Sequence, residues 1–507
     1  MSSSRPAAAL VLAAGEGTRM KSSTPKVLHR LAGRSLLAHA VAAVQALEPQ
    51  HLVLVVRHER DRVAAHAAEL EPSSLVADQD EVPGTGRAVQ CGLDVLAAAR
   101  SAAGQDGPLR GTVVVTYGDV PLLTGATLTE LVAAHEAGGH AATVITADVG
   151  VPTGYGRVLR DAHGYVEGVV EHADAGAAQL AITEINSGLY AFDAAVLVDV
   201  LARVGTDNAQ GEVYLTDVLA LARAAGGTVA AHRIDDVWQT EGVNDRVQLA
   251  RMGAELNRRL VEGWMRAGVT VVDPATTWVD AAVRLGRDVT LLPGVQLHGS
   301  TTVGDEAVVG PDSTLTDCEV GVGASVVRSH AEGAVIGEGA TVGPFSYLRP
   351  GTRLGTGGKI GGFVETKNAV IGDGAKVPHL TYAGDATIGA GANIGAGTIF
   401  ANYDGVAKHH TTVGRHSFIG SDTVLIAPVT IADGAYVAAG SALTDDVPAG
   451  AIAVARGRQR NVEGWVRRRR SGSPAAKAAE AAEGTAAAEG PAPDAGRRTD
   501  HRTGTSA

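Results

Sequence analysis

The chain is poor in aromatic residues: only 4% of its 507 positions are Phe, Trp or Tyr. Its cores must therefore be built from aliphatic side chains. It has only two cysteines, Cys91 and Cys318, far apart and without a CxxC pair, which argues against a disulfide or cysteine–zinc framework and fits a reducing compartment. No apolar run approaches the roughly 18 residues of a membrane span, so no membrane partner is expected. An excess of positive charge is also missing. Lys and Arg number 43 against 55 Asp and Glu, a net charge of −12, whereas duplex binding rests on a concentrated basic footprint; no nucleic-acid partner is expected.

What the chain has in abundance is glycine, 65 residues, and a hydrophobic fraction of 45%. Its length exceeds what one core usually organises, so at least two folded units are expected. The apolar segment 6–14 follows Arg5 much as a secretory leader would, but it is short and runs into Gly15-Glu16-Gly17-Thr18-Arg19 instead of a cleavage site. It reads as a buried first strand followed by a glycine loop, in a cytoplasmic protein.

From residue 7 to about 240, short apolar runs (8–12, 52–56, 112–116, 142–145) alternate with stretches of helical spacing (36–47, 86–99, 128–135). That alternation predicts βαβ units on a mostly parallel, Rossmann-like α/β sheet. Residues 157–160, a polar turn at 161–164, and 165–170 read as a hairpin. A helix over 245–268 carries Leu249, Met252, Leu256, Leu260 and Trp264 as one apolar stripe. Beyond it the period changes to six. Val283, Val289 and Val295 begin the pattern, and Leu297, Val303, Val309 and Leu315 continue it after a shift. Ile336, Val342, Leu348, Leu354 and Ile360 form one unbroken run; Val413, Ile419, Leu425, Ile431, Val437 and Leu443 form another. A hexapeptide period turns one aliphatic inward from each short face of a triangular coil, giving a parallel β-helix of about nine coils. Two interruptions, at 366–378 and 400–412, are favoured places for a site. The expected domains are 1–244, a linker helix 245–268, a β-helix 269–466 and a disordered tail 467–507 that opens on the basic run Arg467 to Arg470.

The first candidate site is the segment Leu12-Ala13-Ala14-Gly15-Glu16-Gly17-Thr18-Arg19-Met20 with Pro25-Lys26 beyond it. Small residues let the backbone approach a phosphate, whose charge free N–H groups can bind. Arg19 and Lys26 can clamp a diphosphate from two sides. The loop is neither a Walker A nor a GxGxxG motif. Tyr117-Gly118-Asp119 ends a strand, where open α/β sheets place ligands. The second candidate is His379 in the interrupted β-helix, near Tyr382, Asn393, Asn402-Tyr403 and Ser421. A histidine at a solenoid corner can deprotonate an amine that attacks a thioester; the residues alone leave it one of 17 histidines. His409, His410 and His416 raise a zinc alternative, but adjacent side chains on an extended chain point to opposite faces.

The glycine loop with its Pro-Lys resembles the sugar-1-phosphate nucleotidylyltransferases, whose pattern is L-A-A-G-x-G-T-R-M followed by P-K. Over about residues 6–466 the chain resembles the bifunctional family that makes UDP-N-acetylglucosamine in bacteria. That resemblance implies a left-handed β-helix of hexapeptide repeats, uridylyl and acetyl transfer, Mg²⁺, UTP and acetyl-CoA as co-substrates, and a homotrimer. It implies that Leu12, Ala13, Ala14, Gly15, Lys26, Gln79, Gly84, Thr85, Tyr117, Gly118, Asp119, Gly156, Glu171, Asn186 and Asn244 contact the nucleotide sugar, with Asp119 and Asn244 holding the metal and Arg19 and Lys26 catalytic. In the second half it implies His379 as base, oriented by Glu365. Arg349, Lys367, Tyr382 and Asn393 would bind glucosamine 1-phosphate; Ala396, Asn402, Tyr403, Ser421, Ala439 and Arg456 would bind acetyl-CoA. Glu16 stands where many relatives carry lysine and is expected to face solvent. The rival readings are a nucleotidylyltransferase with a non-catalytic β-helix, and a non-catalytic hexapeptide scaffold.

Overall fold

The computed structural model describes residues 5–488, which divide into two compact units, one ending at Ala453 and the other beginning at Val454. The first begins with a strand, Ala8–Leu12 (β1), in which all five residues are buried. Alternate side chains of this run enter different cores: Ala8, Leu10 and Leu12 pack in one, Ala9 and Val11 in the other. A strand covered on both faces reads as a continuous apolar run, and this is why no polar alternation marks it.

Eight further strands complete the sheet: Leu52–Val56 (β2), Leu75–Asp78 (β3), Thr112–Tyr117 (β4), Ala142–Asp148 (β5), Arg157–Arg160 (β6), Val166–Val170 (β7), Glu184–Asp193 (β8) and Val229–Arg233 (β9). Their order is β9-β5-β8-β4-β1-β2-β3, with the β6–β7 hairpin attached to β8. Only β8 runs antiparallel to its neighbours in the main sheet. The strand order reverses at β1, which lies between β2 and β4, and the crevice beyond the carboxyl ends of such strands is where open α/β sheets hold ligands.

The connector helix Arg246–Arg266 is capped by Asp245, whose side chain accepts from the Gln248 amide at 2.8 Å. Its first half packs on the α/β domain: Met252 is buried with Met20, Leu31 and Val243, and Leu249 and Leu256 lie against them. Its second half joins the β-helix core through Val261 and Trp264. The buried face is not purely apolar, because Glu255 and Asn257 are buried too. Asn257 acts as a piece of strand: its amide donates to Thr277 O at 2.8 Å and accepts from Val279 N at 2.9 Å.

The β-helix is left-handed and opens at Thr270–Val271. One of its faces is a ladder of eleven parallel strands, against the roughly nine coils expected from the period. The helix starts ahead of the first clean hexad and runs on past the last. Every hexad aliphatic named from the sequence is in its core. The two interruptions differ in kind. The expected break at 366–378 is no loop; a seven-residue strand, Glu365–Ile371, runs through it, and the only change is that Leu354 pairs with Ile371, one residue short of the 18 that separate Leu348 from Thr366. The break at 400–412 is a true insertion: Ile388 pairs with Val413, a separation of 25 residues, and the excess forms a loop closed by a Tyr403–Lys408 bridge.

The second unit corrects the expectation of a disordered tail from 467. Trp465–Arg469 and Pro474–Ala488 are helical, because the alanine-rich stretch consists largely of strong helix formers. Residues 489–507 of the expected tail lie outside the described residues.

Candidate functional site

The β1–β4 pairing sets the first site. Leu12 and Tyr117 are in register, so the glycine loop and Gly118-Asp119 leave the sheet side by side; the Gly118 amide donates to Leu12 O at 2.9 Å. Gly17 adopts φ 68°, and a Cβ there would stand 2.6 Å from Lys26 Cβ. Glycine is thus needed both for the turn and for the close passage of the lysine stem. Lys26 then reaches across to bond the Asp119 carboxylate and, at 3.3 Å, the Asn244 amide oxygen. Asp119 and Lys26 are largely shielded, with side chains 17% and 12% exposed. Asp119 is no helix cap, since the next helix, Gly125–Gly138, is capped by Thr124. The Val243 amide donates to Asp119 O at 2.9 Å, which ties the segment carrying Asn244 to the end of β4.

A cleft of about 370 Å³ opens here, lined by residues 12–16, Lys26, Gln79, Gly84, Thr85, Tyr117 and Asp119. Glu16 is exposed at its mouth. Gly84 precedes the helix Thr85–Ala102 with φ 117°; a Cβ there would meet Val213 O at 2.3 Å. Gln79 donates to Val82 O and Gly84 O, fixing the turn that presents the helix N-terminus to the cleft. A second cleft of about 380 Å³ shares Thr85, Tyr117 and Glu212 with the first and holds Glu171 and Asn186. Burial raises the pKa of Glu171, which accepts a hydrogen bond from Thr216 at 3.3 Å. Burial, helped by the charges of Asp119 and Glu171, keeps the Tyr117 phenol protonated. Gly156 lies beside Glu171, 3.2 Å from a Cβ to Oε2. Arg19 is exposed on the short helix Thr18–Met20 and lines neither cleft. Glu212, Tyr214 and Thr216 were not among the sequence candidates; they arrive through a long-range contact, the Gly86 amide on Val213 O, for which no local signal exists.

In the β-helix, one corner carries a column of candidates. The Gly397 amide donates to His379 O at 3.3 Å, Asp422 N to Ala396 O at 2.8 Å, and Gly440 N to Ser421 O at 2.8 Å. His379, Ala396, Ser421 and Ala439 therefore sit at or beside equivalent positions on successive coils. His379 is exposed and its neighbour Leu380 takes φ 51°. A polar cluster lies nearby. Arg349 donates to Glu365 at 3.1 Å, and Lys367 lies 3.8 Å from Asp385. Asn402 bonds Asp385 at 2.5 Å and Tyr382 OH at 3.4 Å. Although burial opposes it, bonds from Asn368 and Asn402 and the charges of Lys367 and Lys408 hold the Asp385 carboxyl below its usual pKa.

Lys408, on the inserted loop, was not a sequence candidate; Lys367 beside it, with Arg349 also contributing, lowers its pKa. Three cations thus gather where a phosphate could sit. Glu365 bonds Arg349, and among the described residues no hydrogen bond joins it to His379. Asn393 stands on the neighbouring ladder, paired with Lys376. Tyr403 is exposed and donates to Gly405 O. Arg456 belongs to the second unit. The histidines of the zinc alternative have separate partners, His409 with Asp404 and His410 with Thr387, and among the described residues no group of three or more metal-binding side chains occurs.

Residues 9–180 match the family model of the MobA-like NTP transferase domain. Over nearly its whole length the chain is similar to proteins named bifunctional protein GlmU. It is 62% identical to that of Kineococcus radiotolerans, covering 94% of this chain and 95% of the relative. The identity is 61% to that of Paenarthrobacter aurescens, with the same coverage, and 57% to that of Mycolicibacterium vanbaalenii, over 93% of this chain and 95% of the relative. A likeness of that degree, running through the glycine loop, the connector and the hexapeptide coils alike, shows that the chain belongs to the GlmU family.

Proposed function

We propose that the chain makes UDP-N-acetylglucosamine in two steps at two sites. The β-helix transfers acetyl from acetyl-CoA to glucosamine 1-phosphate, and the α/β domain joins the product to UTP with release of pyrophosphate. The observation that carries the reading is the pairing, in one GlmU-family chain, of a cleft of about 370 Å³ at the β1–β4 switch point with a β-helix that carries both the His379 corner and the cluster of Arg349, Lys367 and Lys408.

In the α/β domain the glycine loop holds the nucleotide phosphates, with Leu12, Ala13, Ala14 and Gly15 against the nucleotide and Gln79, Gly84 and Thr85 toward the base. Glu171, Asn186 and Gly156 take the sugar. Lys26, joined by Arg19 swinging in from outside the cleft, neutralises charge as a phosphate oxygen of the sugar attacks the α-phosphorus and pyrophosphate leaves. Asp119 and Asn244 offer two convergent oxygens, the hard donors that Mg²⁺ prefers, with substrate phosphates completing its shell. Bound there, Mg²⁺ supplies charge stabilisation to the phosphates.

In the β-helix, Arg349 and Lys367 grip the sugar phosphate, with Lys408 beside them, and Tyr382 and Asn393 orient the ring. His379 accepts a proton from the amine as its nitrogen bonds the acetyl carbon. The C–S bond then breaks, and the thiolate takes up a proton to leave as CoA thiol. The column of Ala396, Ser421 and Ala439, with Asn402 and Tyr403, receives acetyl-CoA, and Glu365 helps to orient His379. We read the assembly as a homotrimer in the cytoplasm, working on small molecules only; no described helix is long and apolar enough to cross a membrane.

The test supplies glucosamine 1-phosphate, acetyl-CoA, UTP and Mg²⁺ together and follows thiol and pyrophosphate separately. Asp119→Ala, given N-acetylglucosamine 1-phosphate, should lose pyrophosphate release and keep thiol release. His379→Ala should slow thiol release by about 10²–10⁴-fold and, when N-acetylglucosamine 1-phosphate is added, keep pyrophosphate release. A β-helix without catalytic function would release no thiol in the wild type; loss of both activities in either folded variant would defeat the two-site reading.

A further inference from the structure

Lys26 is held in an arrangement that a phosphate clamp does not require. Its stem passes against Gly17, where even a methyl group would stand 2.6 Å from Lys26 Cβ, so only its head is free to swing. That head bonds the Asp119 carboxylate and the Asn244 amide oxygen together. These two oxygens come from segments 125 residues apart in sequence, held side by side at the site by the Val243–Asp119 backbone bond. A largely shielded carboxylate facing a second oxygen donor needs a cation between them. In the free protein, Lys26 is that cation. The oxygens it occupies are the ones a divalent ion would take, and an ammonium and a divalent ion cannot share them.

We infer that Lys26 is a stopper for the metal site. It keeps Asp119 and Asn244 aligned while closing them to a bare divalent ion, and it leaves for the phosphates when nucleotide enters the glycine loop. The stopper couples the two ligands: nucleotide opens the metal site by drawing Lys26 away, and by linkage the metal strengthens nucleotide binding by the same factor. A free enzyme so built does not hold a metal without the phosphates on which that metal acts. The inference rests on the reading of Asp119 and Asn244 as metal ligands.

The experiment measures Mn²⁺ binding to the full chain without nucleotide, from the electron paramagnetic resonance signal of free Mn²⁺. Wild type should bind weakly at this site, Lys26→Met about tenfold more tightly, a factor within the usual range of coupling between ligands, and Asp119→Asn not at all. Equal or weaker binding by a folded Lys26→Met protein overturns the inference. Should that variant fail to fold, the wild type gives the same answer. Acylation of Lys26 by a small anhydride, read by peptide mass spectrometry, should rise several-fold when saturating Mn²⁺ alone is added; an unchanged rate overturns it. The two failures are distinguishable. If wild type with UTP, N-acetylglucosamine 1-phosphate and Mg²⁺ releases no pyrophosphate, the ligand reading itself is wrong. If pyrophosphate appears while Mn²⁺ affinity ignores Lys26, only the stopper is wrong.

Discussion

Replacing Gly17 by alanine should disable one activity and spare the other. The residue sits at φ 68°, where a side chain costs about 1–2 kcal/mol in local sterics. The new methyl would also stand 2.6 Å from Lys26 Cβ and 3.4 Å from Cγ. The nearest of these is the root of the lysine side chain, so rotamer changes cannot relieve the clash and the loop or the Lys26 backbone must shift. A displacement of about 1 Å in a positioning element costs on the order of 10²-fold in rate. Pyrophosphate release should thus fall about a hundredfold, and the melting transition of the α/β domain should drop by a few degrees. Thiol release should hold, because His379 lies in the β-helix. Gly150→Ala is the control: its methyl would meet nothing within 4 Å, so the rate should change far less. Near-normal pyrophosphate release by Gly17→Ala, or equal losses in the two variants, would refute the argument.

Asn257→Ala should cost about 1–3 kcal/mol, because it leaves the buried Thr277 carbonyl and Val279 amide without their side-chain partner; chemical denaturation measures it, and a smaller change would mean that the strand edge is satisfied otherwise. Leu425→Ala, at a fully buried hexad position, should cost about 2–5 kcal/mol and make thiol release fail at a lower temperature than pyrophosphate release. His135 is pushed down to about 4, first by burial and then by neighbouring His140. With the folded pKa below the unfolded value of about 6.5, the unfolded state binds the proton more readily, so stability should fall between pH 6.5 and 4 by roughly 3 kcal/mol and level off below. Denaturation curves of His135→Gln across that window should lose this part of the slope.

What was legible in the sequence was local. β1 and its glycine loop announce themselves by an apolar run ending in small residues, and the hexads by a period that needs no partner to be seen. The antiparallel β8 was missed because Asn186-Ser187-Gly188 interrupts its apolar pattern; it is a strand because β4 and β5, far off in the chain, flank it. The connector was found, but its buried Glu255 and Asn257 were not, since a stripe of apolar residues says nothing of polar groups that pair across an interface. Glu212 and Lys408 lack any local mark. The one is brought to its cleft by the Gly86–Val213 contact, the other by an inserted loop whose length, but not whose landing place, the broken period revealed.

The spacing of the coils has a consequence for how this half of the molecule can change. Coil lengths of 17, 18 and 25 residues coexist in one ladder system, yet Phe400 and Leu425 on either side of the longest still meet in register. Length is therefore tolerated at corners and nowhere else. A residue added inside a strand such as Val424–Ile426 would turn the rest of that strand's aliphatics toward water, as a one-residue slip does in any strand, whereas one added at the tip beside Gly405, already exposed, would be absorbed. Corners are thus the only sites open to insertion, and the candidate residues His379, Ala396, Ser421 and Ala439 all stand on one. New specificity can be grafted onto this prism by lengthening loops without disturbing the column that supports them.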